Sequence, residues 1–310
     1  MKLPKTLAVL TGGVGGAKFV LGLVHAFPDA AITAIVNTGD DFVHLGLAVS
    51  PDIDTLLYTL SGRANPVQGW GRADESWSFM AALTSLGGPD WFLLGDGDLA
   101  LHVLRAQALA AGQPLSAVTA GFAGSWGIGA GVMPMTDDRV ATMIDTDEGV
   151  LAFQRYFVAR RCEPRALAVR FEGAADASPA PGVAAALARA DAILIAPSNP
   201  YLSVDPILAV PGMRDLLREA PAPVIAVSPI VAGAAVKGPT AKLMGELGLP
   251  VTNATIARHF AGVIDGLVHD ARDDAPPAPL AAAATDTLMA TLADKVRVAR
   301  AAVDLALSLR

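Results

Sequence analysis

Four pairs of aspartates each lie in a predicted turn beside an apolar segment. The pairs are Asp40-Asp41, Asp52 with Asp54, Asp96 with Asp98, and Asp137-Asp138. In proteins, Mg²⁺ is typically held by one or two carboxylates together with the phosphates of a substrate. Carboxylates that converge at strand ends would therefore suit a phosphoryl transfer with Mg²⁺ as the cofactor.

Each acidic pair also has a purely structural interpretation. Asp52 falls in a predicted first helical turn, where the helix dipole favours an acid. Asp98 is placed to cap the helix that follows it, and Asp137-Asp138 fits a solvated turn. A structural role for all four pairs at once is a weaker hypothesis than a shared acidic site.

A glycine-rich turn occupies residues 12–18, where the sequence reads GGVGGAK. It follows a short apolar strand and opens an amphipathic helix, so its backbone N–H groups and the helix N-terminus favour an anion. We predict that phosphate groups bind here to Gly12, Gly13, Gly15, Gly16 and Lys18. A Walker A loop is excluded because it needs Gly at Ala17 and Ser or Thr at Phe19.

Polar residues also follow other predicted strands. Asn37 ends the second strand, and Ser198 and Asn199 end a later one. Ligands of open α/β sheets bind at the carboxyl ends of strands, so these residues either contact a nucleotide or shape the turns. Lys237, beside Gly238, would add a cation. A dinucleotide-binding fold usually has an acid at the position of Asn37 to hold the ribose.

The elements that must position these residues alternate between strand and helix. Apolar runs predict strands at Thr6–Leu10, Ala31–Val36, Ala166–Phe171, Ala192–Ala196 and Val224–Val227. The first two enclose the helix Ala17–Phe27 in a βαβ unit. We predict one α/β domain over residues 1–310, a doubly wound Rossmann-like and mostly parallel sheet. A mainly helical insertion is expected at about residues 55–160.

Composition limits the class of protein. The chain has 310 residues, 53% of them hydrophobic, and a formal net charge of −7. Such a chain can bury a large core, and its acidic balance argues against nucleic-acid binding. Residues 106–136 lack charge but are broken by Gly and Pro, so no membrane span is predicted. A single cysteine, Cys162, excludes an internal disulfide and favours the cytoplasm.

Eight short motifs occur in a fixed order along the chain. They are GGVGGAK at 12–18, NTGDD at 37–41, SPDIDT at 50–55, LGDGDLA at 94–100, PMTDD at 134–138, APSNP at 196–200, VSPI at 227–230 and KGP at 237–239. Together they resemble the 2-phospho-L-lactate transferase family of coenzyme F-420 biosynthesis, from the first strand to about Asp270.

The resemblance implies a reaction. A phospholactyl-type group, with phosphoenolpyruvyl or phosphoglyceryl as alternatives, would move from a guanosine diphospho donor to the ribityl hydroxyl of 7,8-didemethyl-8-hydroxy-5-deazariboflavin. GMP would leave, Mg²⁺ would assist, and a homodimer is expected.

The resemblance also assigns roles to the acids of this chain. Asp54 and Asp52 would be catalytic, and Asp40, Asp41 and Asp52 would hold the metal. Asp54, Asp96, Gly97 and Asp98 would bind the acceptor. The glycine turn, Asn37, Ser198, Asn199 and Lys237 would bind the donor. On this assignment, Asp54→Asn should abolish or strongly reduce turnover while leaving the fold intact.

One position departs from the family pattern. The family usually has Lys or Arg where this chain has Gly97, between Asp96 and Asp98. Either acceptor binding is weakened, in which case Gly97→Lys should improve it, or Lys18, Arg72 or Lys237 supplies the cation instead.

Two other function classes remain open on the sequence. A nicotinamide-dependent oxidoreductase would share the glycine turn, although Asn37 and the surplus of acids count against it. A nucleotide-binding relative that has lost turnover would share the whole fold, and Gly97 supports it. Binding of NAD(P)H would identify the first alternative, and a turnover assay the second.

Overall fold

A computed structural model describes residues 3–66, 70–235 and 238–310 of the chain. The strands in these residues are β1 (Thr6–Thr11), β2 (Ala31–Val36), β3 (Phe42–His44), β4 (Leu47–Val49), β5 (Gly131–Pro134), β6 (Ala141–Thr146), β7 (Gly149–Ala152), β8 (Ala166–Glu172), β9 (Ala192–Ile195), β10 (Val224–Val227), β11 (Ile230–Val231), β12 (Ala234–Ala235), β13 (Gly266–Asp270) and β14 (Ala281–Thr285).

The α-helices in the same residues are α1 (Gly13–Ala26), α2 (Pro51–Leu60), α3 (Ser78–Ser85), α4 (Asp96–Ala110), α5 (Leu115–Ser125), α6 (Val183–Arg189), α7 (Asp205–Ala209), α8 (Met213–Arg218), α9 (Thr240–Glu246), α10 (Asn253–His259) and α11 (Leu292–Ser308). Short helical turns occupy Arg155–Ala159, Ala174–Asp176 and Pro200–Val204. None of these helices is long and apolar enough to cross a membrane.

The central sheet has seven strands in the order β14-β13-β10-β9-β1-β2-β5. Every neighbouring pair is parallel. The chain order reverses between β1 and β9, because β2 and β5 lie on one side of β1 and the later strands β9, β10, β13 and β14 lie on the other. This confirms the predicted doubly wound, Rossmann-like sheet. In such sheets the crevice at the reversal point, outside the carboxyl ends of the strands, is the usual ligand site.

The strands alternate their side chains between two buried cores. Leu7 and Val9 of β1 pack on the face covered by α1, α2 and α11, whereas Ala8 and Leu10 pack on the opposite face. Both faces are covered, which explains why the strands are almost continuously apolar in sequence. Helix α1 approaches α11 so closely that a Cβ on Gly22 would overlap the Lys295 carbonyl group.

The segment after β2 is organised differently from the prediction. Residues 55–160 contain most of α2 and the helices α3 to α5, but they also contain β5, which joins the central sheet, and β6 and β7. Strands β6, β7 and β8 form a separate antiparallel sheet in the order β7-β6-β8. Within the segment expected to be mainly helical, residues 149–159 form β7 followed by a short helical turn.

Candidate functional site

A cleft of about 1120 Å³ opens at the point where the strand order reverses. Its floor is made by the loops after β1 and β9, and its walls by α2, the first turns of α4, and the loops after β10 and β14. The predicted site residues that line it are Gly12, Gly13, Gly15, Lys18, Asp40, Asp52, Asp54, Asp98, Ser198 and Asn199.

Five other predicted site residues lie outside the cleft. Gly16, Asn37, Asp41, Asp96 and Gly97 are described but do not line the cleft. Lys237 lies outside the described residues, so its predicted contact with the donor stays a prediction.

Close packing explains the glycines of the turn after β1. A Cβ on Gly12 would lie 2.5 Å from Asp52 Oδ2, and one on Gly15 would lie 2.8 Å from the Pro197 carbonyl oxygen. Gly13 adopts a φ of +64°, which side chains disfavour. The turn therefore brings bare backbone against both an acid and the neighbouring loop, at the N-terminus of α1.

The loop after β9 is tied to this turn. Ser198 Oγ donates a hydrogen bond to the Gly12 carbonyl at 2.8 Å and accepts one from the Gly12 N–H at 3.3 Å. Asn199 Oδ1 caps the next helical turn by accepting from two backbone N–H groups. Asn199 Nδ2 is buried without a hydrogen-bond partner at the cleft, so it is available to a ligand.

Asp52 lies at the start of α2, directly beneath the glycine turn. Asn37 Nδ2 donates to Asp52 Oδ2 at 2.9 Å, and Asn37 Oδ1 accepts from the Gly39 N–H at 2.8 Å. Asn37 therefore holds Asp52 from behind, away from the cleft surface. Burial raises the pKa of Asp52 to about 6, against the opposing effect of the hydrogen bond from Asn37.

Asp40 and Asp41 follow β2 and point to different surroundings. Burial, reinforced by the charge of Asp52, raises the pKa of Asp40, and Asp40 Oδ1 has no hydrogen-bond partner. Asp41 accepts a hydrogen bond from Ser50 Oγ at 2.6 Å, and burial raises the pKa of Asp41 as well. Only Asp40 of the two lines the cleft.

The carboxylates at the cleft fit a cation whose coordination is completed by oxygen atoms of a substrate. Three His, Cys, Asp or Glu side chains do not converge as a ready metal site anywhere in residues 3–66, 70–235 and 238–310. Asp40 and Asp52, however, are neighbouring buried carboxylates at the cleft, and one oxygen of Asp40 is unpartnered. Mg²⁺ commonly uses one or two carboxylates and takes its other ligands from phosphates and water.

Asp54 is two residues further along α2 and is paired with a buried arginine. Arg105 Nη1 donates to Asp54 Oδ2 at 3.1 Å, and Nη2 donates to Oδ1. Burial raises the pKa of Asp54, and the Arg105 charge opposes the shift. Asp54→Asn would leave a buried arginine without its partner, so this variant tests stability and chemistry together.

Asp96 and Gly97, both predicted to bind the acceptor, serve the local fold. Asp96 accepts hydrogen bonds from Ser76 Oγ and from two N–H groups at the start of α3. The Gly97 N–H donates to Glu75 Oε2 at 2.6 Å. A Cβ on Gly97 would overlap the Arg72 guanidinium, which is paired with Glu75 at 3.1 Å. A cation therefore lies beside position 97, supplied by Arg72.

Lys18 has a defined partner across the cleft. Its Nζ donates to the Met289 carbonyl at 3.2 Å, in the loop after β14. Residues 287–290 of this loop line the cleft, and Asp270 fastens the loop by accepting from the Thr287 N–H at 2.8 Å. Sequence reasoning missed this wall because nothing local links Lys18 to a loop about 270 residues later.

An aromatic wall of the cleft was also missed. It contains Trp70, Trp91, Phe92, Phe153 and Phe157. The Phe153 and Phe157 rings stack at 5.3 Å, and the Arg155 guanidinium lies 4.0 Å from the centre of the Trp91 ring. Only 5% of the chain is aromatic, so this concentration in one cleft is distinctive.

Comparison with solved structures supports the fold. The chain is similar to a crystal structure of a UPF0052 family protein from Bacillus halodurans, with a TM-score of 0.63 and 18% identity. The match covers 96% of this chain and 99% of that one.

Sequence comparisons are more specific. A phosphoenolpyruvate transferase from Streptomyces griseus subsp. griseus is 44% identical, with 98% of this chain and 99% of that protein covered. One from Mycobacterium sp. (strain JLS) is 41% identical, with 97% and 98% covered. The model of the family described as 2-phospho-L-lactate transferase CofD matches residues 7–305. The chain therefore belongs to the 2-phospho-L-lactate transferase CofD family.

Proposed function

We propose that the protein transfers an enolpyruvyl phosphate group from a guanosine diphospho donor to the ribityl hydroxyl of 7,8-didemethyl-8-hydroxy-5-deazariboflavin, and releases GMP. The enolpyruvyl group is chosen among the three-carbon acids because relatives more than 40% identical are phosphoenolpyruvate transferases. The observation that carries the proposal is one cleft in which a glycine turn at a helix N-terminus meets the buried carboxylates Asp40, Asp52 and Asp54.

Different groups of residues that line the cleft suit the two substrates. The backbone of the glycine turn and the free Asn199 amide would bind the donor diphosphate. Its nucleoside would extend between the loops after β10 and β14. The aromatic wall suits the planar ring system of the acceptor, since flat rings stack on aromatic side chains. The acceptor hydroxyl would then reach the acids of the same cleft.

The chemistry is a substitution at phosphorus. The acceptor hydroxyl oxygen forms a bond to the phosphorus that carries the enolpyruvyl group. The bond from that phosphorus to the bridging oxygen of the diphosphate breaks, and GMP leaves with this oxygen and the bonding electrons. Asp52, a buried carboxylate at the cleft, would accept the hydroxyl proton.

Asp40 and Asp52 would hold Mg²⁺ together with the donor phosphates. When bound, the metal would neutralise the charge that develops on the diphosphate. Asn37 keeps Asp52 in place beneath the glycine turn.

Nucleotide binding tests the donor half of the proposal. We expect GDP with Mg²⁺ to bind measurably in titration calorimetry and NAD to bind weakly or not at all. The physical reason is a glycine turn accompanied by Asn37, which is committed to Asp52 and offers no acid to a ribose. Tight NAD binding without GDP binding would instead favour the nicotinamide oxidoreductase.

Arg72 provides a test of the acceptor half. Arg72 lies where the family carries a cation at position 97, and we propose that it takes over the contact of that cation with the acceptor. Because a charge-assisted hydrogen bond is worth roughly 1.5–3 kcal/mol, we expect Arg72→Ala to raise the acceptor KM by about 10- to 100-fold. Gly97→Lys alone should not improve the enzyme, since Arg72 already fills that space. In the Arg72→Ala background, Gly97→Lys should restore part of the loss.

Steady-state kinetics with the deazaflavin varied at saturating donor would measure these three variants. An unchanged acceptor KM in Arg72→Ala would show that this cation has no role in acceptor binding. Improvement by Gly97→Lys in the wild-type background would show that the space beside Gly97 is free for a longer side chain.

A further inference from the structure

Helix α4 presents charged and polar side chains to α2, where a buried helix face is ordinarily apolar. Asp98, His102 and Arg105 follow at spacings of four and three residues, so they share one face of α4. Arg105 is 0% exposed and His102 is 1% exposed. Buried ions lose their hydration, so an apolar face would ordinarily be at least as stable. The charged face therefore points to a role other than packing.

The contacts along this face form a continuous row. Arg105 binds both oxygens of Asp54, and its Nη1 also lies 3.3 Å from the Ala48 carbonyl oxygen and 3.3 Å from His102 Nδ1. Arginine only donates hydrogen bonds, so His102 Nδ1 accepts and the ring proton lies on Nε2. His102 Nε2 lies 3.1 Å from Asp98 Oδ2, and Tyr58 donates to Asp98 Oδ1.

The row has a front and a back. Asp54, Tyr58, Asp98 and His102 line the cleft, whereas Arg105 does not. Asp54 is thus held from behind by Arg105 while it faces the cleft, whereas Asp98 is held by His102 and Tyr58, which line the cleft themselves. Each carboxylate oxygen has two lone pairs, so an oxygen that already binds Arg105 or Tyr58 can still accept a hydrogen bond from a ligand hydroxyl.

We propose that Arg105 and His102 are positioning residues that hold Asp54 and Asp98 as a rigid pair of hydrogen-bond acceptors for a polyhydroxyl chain. The two carboxylates accept hydrogen bonds from the hydroxyl groups of the substrate. They thereby determine which hydroxyl group reaches the phosphorus. This inference rests on the proposed function, in which the ribityl chain of the acceptor passes over Asp54 and Asp98. Neither Arg105 nor His102 belongs to the motifs that the sequence analysis singled out.

The test compares Arg105→Met with Arg105→Lys. Lysine keeps a charge for Asp54 but not the two-pronged contact, so a positioning role predicts partial rescue. We expect Arg105→Met to lower kcat/KM for the acceptor by at least 100-fold, with recovery of about 10-fold in Arg105→Lys. The Kd of GDP should stay within twofold of the wild-type value, because the row does not touch the glycine turn.

His102→Gln is the second variant, for the case in which Arg105→Met does not fold. Its amide can still reach Asp98 but cannot bridge to Arg105, so we expect an increase of about 10-fold in the acceptor KM. Arg170→Met is the control, because it breaks a two-pronged ion pair with Asp145 on the small antiparallel sheet. It should leave both substrate parameters unchanged.

The outcomes separate the two proposals. If the wild-type protein transfers the group and the folded variants keep wild-type acceptor KM and kcat, the positioning role is wrong and the function stands. The positioning role is also wrong if Arg105→Met and Arg105→Lys lose kcat/KM for the acceptor equally and lose GDP affinity to the same extent. Such losses would indicate a general disruption of the protein. If the wild-type protein neither binds nor modifies the deazaflavin, the proposed function itself fails.

Discussion

Replacing Asp52 by asparagine is expected to lower turnover by about 10²- to 10⁴-fold and, at the same time, to raise the melting temperature of the unliganded protein. Asp52 is buried, and burial raises its pKa to about 6. Asparagine can keep the acceptor oxygen for Asn37 while removing a charge that burial disfavours by about 1.4 kcal/mol per pKa unit. A gain in stability with a loss of activity is typical of functional groups.

Thermal unfolding and the transfer assay measure the two effects on the same preparation. Asp137→Asn is a suitable control, because Asp137 binds the Ser116 N–H at 2.7 Å at the start of α5 and does not line the cleft. It should lower the melting temperature and leave turnover unchanged. Normal turnover in Asp52→Asn with a lowered melting temperature would assign Asp52 a structural role.

The pH dependence of stability also tests whether the buried charge of Asp52 destabilises the protein, and its sign can be predicted. The pKa of Asp52 is higher in the folded protein than its ordinary value, so the folded state binds more protons between about pH 4 and pH 6. The unliganded protein should therefore gain stability as the pH falls through 6, and Asp52→Asn should gain less. Denaturant unfolding at several pH values would show the difference between the two proteins.

Two glycine substitutions in the same helix are expected to separate binding from stability. In Gly15→Ala the new Cβ would lie 2.8 Å from the Pro197 carbonyl oxygen, so the two loops at the strand reversal must move apart. Such overpacking costs about 1–3 kcal/mol, and we expect the donor affinity to fall by about 10- to 100-fold. Calorimetry with GDP measures this loss.

Gly22→Ala is the matched control, two turns further along α1. Its Cβ would overlap the Lys295 carbonyl group of α11, on the core side of the helix and away from the cleft. We expect a lower melting temperature with an unchanged Kd for GDP. If Gly15→Ala keeps wild-type GDP affinity, the glycine turn is not the phosphate site.

Local sequence was sufficient for the elements that build the sheet around the reversal point. Strands β1, β2, β9 and β10 are short apolar runs that end in Gly, Asn, Ser or Pro turns, and both faces of the sheet bury them. The hydrophobic pattern did not predict β7, because this edge strand is stabilised by its pairing with β6 and not by its own sequence. Local residues there are equally compatible with a helix.

The roles of side chains could be predicted only where residues close in sequence determine them. The glycine turn is specified by its own residues, but Asn37 turned toward Asp52 because the fold brings two segments together that are 15 residues apart. Arg72 reaches Gly97 from a loop that precedes α3. Arg105 could have been found from its spacing to Asp98 and His102 on α4, since three polar residues on one face of a helix are unusual in a buried position. The predicted homodimer and cytoplasmic location stay predictions.

The most direct test of the central claim is the transfer reaction itself. Purified protein would be incubated with the enolpyruvyl diphosphoguanosine donor, the deazaflavin and Mg²⁺, and GMP and the deazaflavin product would be quantified by mass-resolved chromatography. The account predicts that GMP and an enolpyruvyl phosphodiester of the deazaflavin form in equal amounts, and that both are lost in Asp52→Asn. GMP release without the phosphodiester, or full product formation by Asp52→Asn, would contradict it.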